Sequence, residues 1–223
     1  MQKSLPTLQQ QRQVAHKILS IGAMAGRALW LALVVIIAPL CLFIDLNTLG
    51  NNISEASLVE LTQLVFLFLS ASCFFYLAYK KVDDRAFAIL AAAFFLTMLI
   101  REMDAYFDVI VHGFWKYIAA PIALSALVYA YQHGEKTIVA MSRFMRSQAG
   151  VVMVIGLVIL LFYSRLMGMT SLWKGLMGDA YIRVIKNAVE ESAELLGYSL
   201  IFAASARYLL HRLRTKKQAV FHG

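Results

Sequence analysis

The feature that most constrains this chain is a succession of apolar blocks, each close to the length a helix needs to cross a bilayer. That length is roughly 20 residues, at about 1.5 Å of rise per residue. Six blocks stand out, at about 28–44, 58–79, 86–104, 114–131, 149–164 and 185–210. Of the 223 residues, 61% are hydrophobic and 15% are charged, where an ordinary soluble domain carries about 25% charged residues. A membrane β-barrel would show short alternating segments instead. The fold class expected is all-α: a polytopic integral membrane protein built as a six-helix transmembrane bundle. No repeat period or low-complexity linker divides it, so 1–223 reads as a single transmembrane domain.

The first 27 residues read as a cytoplasmic or interfacial N-terminus. Lys3, Arg12, Lys17 and Arg27 precede the first apolar run, as in a signal peptide. However, "DLNTLGNN" follows with no small-x-small cleavage site, so the run is expected to stay as span one. Residues 7–26 could lie on the membrane surface as an amphipathic helix or form a tail. Pro39 and Pro121 fall inside spans one and four, where membrane helices tolerate them. The segment 166–179, "LMGMTSLWKGLMGD", is too polar to span and too apolar for a free loop. It is expected to be interfacial or re-entrant, with Trp173 at headgroup level. Cys41 and Cys73 lie inside apolar blocks without metal or redox spacing, and read as free thiols.

The net charge of +8 looks at first like a nucleic-acid signal. Its distribution says otherwise, and no nucleic-acid partner is expected. An even number of spans puts both termini on one side. That side holds 15 of the 21 Lys and Arg, in the N-terminus, "KKVDDR", the 132–148 connection and the segment from Arg207 onward. The positive-inside rule then makes both termini cytoplasmic, in a multi-pass protein of the plasma (inner) membrane. The acids run the other way. Asp83, Asp84 and Glu135 are on the inner side by this map, and the other ten of the 13 are on the outer side. Acids contribute little to orientation, so the outer excess calls for a local explanation.

Helical phase supplies one. At about 100° per residue, Arg183, Asn187, Glu190, Glu191, Glu194 and Tyr198 fall within about 100° of arc at the outer end of span six. If span three continues as helix, Arg101, Asp104, Asp108 and His112 form a second stripe, with Gly113 as a natural C-cap and Glu102 turned away toward solvent. Polar stripes of this kind face protein or water rather than lipid. Spans three and six are therefore expected to be neighbours, with Asp108 and Glu194 facing a common interior. "SLVE", Ser57 to Glu60, fits a capping box at the start of span two; alternatively Glu60 and Gln63 point into the same polar cavity.

So many carboxylates cannot all ionise without compensation. Three devices fit: a salt-bridge network through Arg101 and Arg183, a proton-titrating relay, or a divalent cation. The metal set would be Asp104, Asp108, His112, Glu191 and Glu194, whose oxygen-plus-imidazole chemistry suits Zn²⁺, Mn²⁺, Fe²⁺ or Ca²⁺. Glu191, Glu194 and Asp108 are the candidate catalytic carboxylates. Arg101, Arg183, Asn187, Glu190, Tyr198 and Glu60 would support them. Haem is not expected, since no two histidines align as axial ligands. No nucleotide is expected either, for want of a phosphate loop. Membrane hydrolases of the alkaline ceramidase type carry a zinc-binding histidine pair on the last span; here that span has "EESAE", and their assignment does not transfer. The expectation is a metal-dependent hydrolase or transferase on a lipid-type substrate. The alternatives are an ion or small-solute transporter, including a proton-coupled carrier, and a non-catalytic assembly subunit.

Overall fold

A computed structural model describes residues 22, 24–49, 57–109 and 111–220, the side chains of 48–49 and 216–220 excepted. Every regular element among them is helical. In chain order these are α1 (Met24–Asn47), α2 (Leu58–Lys80), α3 (Arg85–Glu102), the short α4 (Asp104–Asp108), α5 (Trp115–Gln132), α6 (Gly134–Met145), α7 (Gln148–Met167), α8 (Thr170–Met177) and α9 (Arg183–Val220). Each of the six apolar blocks is helical. Three of these helices, α1, α2 and α7, are long and apolar enough to cross a membrane. The other three are more polar: α3 begins on Arg85 and ends on Arg101 and Glu102, α5 carries Lys116, and α9 is charged toward both ends. At 38 residues, α9 is about 57 Å long, well beyond the thickness of a bilayer core.

Local chemistry sets several helix ends. Pro39 has no N–H for the carbonyl of Val35, and the helix shows a turn at Ile36 before resuming as Ile37–Ile44. α1 then loosens into a π-turn, Asp45–Leu49. This delivers Asp45, which is completely buried, to the start of α2. Its two oxygens accept from the amides of Leu58 at 2.9 Å and Val59 at 3.0 Å. Ser57 is the N-cap and accepts from the Glu60 amide at 3.2 Å, as "SLVE" predicts. Both acceptors meet amides that the first helical turn leaves without intrahelical partners.

The helices form a row, α5–α3–α2–α9–α7, with α1 against α2 and α9. α9 is central, packed against α1, α2 and α7. It approaches α7 closely where small residues meet. A Cβ on Gly197 would stand 2.9 Å from the Leu160 Cβ and 3.0 Å from the Gly156 carbonyl oxygen. Small residues let membrane helices approach in this way. Between the ends lies an apolar core centred on Leu67, Phe74, Phe95, Leu160, Ile201 and Tyr208. Phe74 stacks on Phe95 at 5.8 Å and meets Phe144 edge-on at 5.9 Å.

Below this core, Asp84 is fully buried in the turn between α2 and α3. Arg143 of α6 reaches one of its oxygens and Arg212 of α9 the other, each at 2.6 Å. One carboxylate thus ties together three segments distant in sequence.

Two connections acquire structure that hydropathy leaves undecided. Residues 134–145, read only as an inner loop, form the amphipathic helix α6, which buries Thr137, Ala140 and Phe144. Within 166–179, α8 buries none of its residues. Cys41 is buried, Cys73 half-buried, and both are free thiols. The surface-helix reading of 7–26 and the loop residues Asn52 and Glu55 lie wholly or mostly outside the described residues.

Candidate functional site

Acidic ends of α2, α3 and α9, with the Arg165 end of α7, line a cavity of about 320 Å³. Each wall has a local origin. The first two turns of α2 bring Glu60 and Gln63; the Ser57 N-cap fixes the first turn, so the cap at "SLVE" and the inward-facing pair are both present. α9 brings Asn187, Glu190, Glu191 and Glu194 from one face. The end of α3 brings Arg101 and Glu102, with Tyr106 just beyond. Arg165 enters from the end of α7.

The cations and acids pair unevenly. Arg165 lies 3.1 Å from Glu194 and 3.9 Å from Glu190. Lys186 donates to Glu190 at 2.8 Å and to the Gly168 carbonyl at 3.3 Å. Arg101 is 3.9 Å from Glu102, and the buried Tyr198 hydroxyl donates to Glu102 at 3.0 Å. Glu191 is different. The Gln63 amide reaches its backbone carbonyl at 3.3 Å, not its carboxylate, and its Oε2 is buried with no hydrogen-bond partner. An ionised oxygen in that position is costly unless a proton or a cation accompanies it.

Comparison with family models, curated proteins and solved structures gives no match to this chain. The site therefore rests on its own geometry.

Of the candidates read from the sequence, seven line the cavity: Glu60, Gln63, Arg101, Asn187, Glu190, Glu191 and Glu194. Tyr198 joins them from below through Glu102. Four stand elsewhere. Arg183 and Asp104 are exposed and do not line the cavity. Asp108 and His112 pair with each other at 2.8 Å on the surface, where the His112 side chain is 96% exposed. The Gly113 amide donates to the other Asp108 oxygen at 2.8 Å, with Gly113 at a φ of 77°. That N–H and the adjacent His112 ring hold the Asp108 carboxyl below its ordinary value. Asp108 and Glu194 therefore do not face a common interior.

The cause is a break in the backbone. α3 ends at Glu102, and Met103 leaves helical geometry at φ −90°, ψ 15°. The stripe Arg101–Asp104–Asp108–His112 assumes a helix that does not continue. Glu102, read as solvated, faces the cavity instead. The expected neighbours, spans three and six, are α3 and α9. α2 stands between them and packs on both, while the Tyr198–Glu102 hydrogen bond joins them at the acidic end.

Sequence reasoning also passed over Arg165 and Lys186. Arg165 follows a π-turn, Ile159–Tyr163, which inserts one residue into the helical phase. Lys186 was legible: it precedes Glu190 by four residues, the spacing of an intrahelical pair. Among the described residues, no three His, Cys, Asp or Glu side chains are grouped so as to hold a metal ion.

Proposed function

We propose that the chain is a six-span inner-membrane protein with both termini cytoplasmic, and that its outward cavity binds a small organic cation of the protonated-amine type. The observation that carries this reading is Glu191, whose Oε2 is buried without a partner. Glu60 aside, four carboxylates, Glu102, Glu190, Glu191 and Glu194, line a space that among the described residues two guanidinium groups enter, those of Arg101 and Arg165. Lys186 adds one more charge at its edge. A cationic ligand would balance the remainder. The carboxylates are spread over several walls and do not converge as metal ligands, which favours an extended cation over a bare ion. Gln63 and Asn187 offer further acceptors, and Tyr106 an aromatic face for an ammonium group.

The six-span topology rests on the match between the apolar blocks and the helices, and on the Lys and Arg asymmetry. Binding is favoured over carriage because, among the described residues, no polar path continues inward. The hydroxyls of Ser70, Ser199 and Ser205 each donate to the carbonyl four residues back on their own helix. The layer around Leu67, Phe74 and Ile201 is apolar.

The test is a thermal-shift titration of the purified full chain in detergent, with simple primary and quaternary amines and, separately, divalent chlorides. A saturable stabilisation by an amine, absent in Glu191→Gln, is expected. Stabilisation by a divalent ion that a chelator reverses would favour the metal reading. Indifference to all cations would sink the proposal. A second reading draws on the same residue: an unpaired Glu191 could act as general base in a hydrolase or transferase on a lipid-type substrate. Turnover of such a substrate, lost in Glu191→Gln, would favour it.

A further inference from the structure

At the other end of the molecule, about 25 Å along α9 from Glu190, two adjoining cavities of about 480 and 410 Å³ share Arg27, Arg207 and His211. We infer that they form one site for the phosphate headgroup of an anionic phospholipid. The charge is one-sided. Arg214 lines the larger cavity, and among the described residues no carboxylate pairs with Arg27, Arg207, His211 or Arg214. The sequence keeps it so, because neither 1–44 nor 195–223 contains an acid.

The site has built geometry. Arg207 donates to Gln148 at 2.8 Å and lies 5.5 Å from the centre of the Trp30 ring. That holds one guanidinium between α1, α7 and α9. Residues 147–149, at the first turn of α7, line the smaller cavity, and the positive end of that helix adds to the field. Ser147 caps the helix by accepting from the Gly150 amide at 3.0 Å.

A lipid fits better than a free anion because the surroundings are amphiphilic. Ala203, Ala206 and Leu210 form the apolar side of the larger cavity. Leu29 and Leu33, on the α1 turns around Trp30, are 63% and 59% exposed and offer a track for acyl chains. Trp30 is the kind of side chain that settles at headgroup depth, and basic pockets between membrane helices recognise anionic headgroups. This site is separate from the carboxylate cavity and independent of its ligand.

The experiment is native mass spectrometry of the full chain in detergent, titrated with phosphatidylglycerol or phosphatidylcholine, with and without inorganic phosphate. Saturable binding of phosphatidylglycerol, at least tenfold tighter than phosphatidylcholine, is expected. Arg27→Gln and Arg214→Gln remove exposed charges without a carboxylate partner, so the fold should survive. Each should weaken binding roughly fivefold, and the pair roughly 25-fold, by the usual worth of a cation beside an anionic headgroup. Equal binding of the two lipids, or undiminished binding in the double variant, would overturn the inference. So would displacement of the lipid by inorganic phosphate at comparable concentration, which would mark a site for the free anion.

Discussion

The buried carboxylates at the two ends of the bundle are treated in opposite ways. Asp84 has no exposed surface, yet each of its oxygens has its own guanidinium at 2.6 Å. Glu191 is half-buried, yet its buried Oε2 has no hydrogen-bond partner among the described residues. The chemical group is the same in both, so the difference lies in what surrounds it. A buried acid with its charge and acceptors fully met is a fastener, and its removal loosens the fold. A buried acid left short is held in a costly state by the rest of the structure, and such groups gather where ligands bind or chemistry occurs.

An isosteric amide at each position sharpens this contrast. Asp84→Asn should give the largest effect, a loss of about 3 kcal/mol, as when one partner of a buried ion pair is removed. Denaturant unfolding of the purified full chain would measure it. A loss well under 1 kcal/mol would mean that Asp84 does not fasten α6 to α9, and the comparison would collapse. Arg165→Gln should come next, at about 2 kcal/mol, since Glu194, 11% exposed, would lose its cation. Its partial exposure, 48%, keeps the effect below that at Asp84. The same unfolding assay applies, and no change would show that Glu194 is compensated from elsewhere.

Glu191→Gln should leave stability unchanged or raise it by up to about 1 kcal/mol, because an amide relieves the repulsion from neighbouring acids. Destabilisation on the scale of Asp84→Asn would show that Glu191 is also a fastener. The smallest effect belongs to the surface pair. Asp108→Asn should change stability only slightly near neutral pH. Its sign against pH is set by the lowered carboxyl: the contribution is full above the ordinary Asp value and fades as pH falls through the lower folded one. Wild-type and Asp108→Asn melting curves should therefore converge in acid, and divergence there would contradict the hydrogen bonds to Gly113 and His112.

Much of this was legible from the chain alone. Bilayer-length apolar blocks marked six of the helices, five of them to within a few residues at each end while α9 runs ten residues past its block to Val220, because backbone polar groups in lipid must be satisfied within the helix. The stripe on α9 was readable because that helix runs unbroken from Arg183 through Tyr198, so about 100° per residue holds along it. The "SLVE" cap was readable because its hydrogen bond spans three residues.

The cavity's other walls were not legible, for the converse reason. Met103 breaks the phase after Glu102, turning the expected stripe of Asp104, Asp108 and His112 out to the surface and leaving Glu102 to face Tyr198. The π-turn before Arg165 shifts the phase again. Neither irregularity has a mark such as proline at its position. Asp45 as a cap for α2, and Asp84 as the meeting point of Arg143 and Arg212, join segments far apart along the chain. The sequence by itself determined that this protein is helical, apolar enough for a membrane, and acid-rich toward one end and base-rich toward the other. Only the tertiary structure decided which acids meet which bases, because a one-residue change in helical phase swings a side chain by about 100° and hydropathy averaged over a span cannot record it.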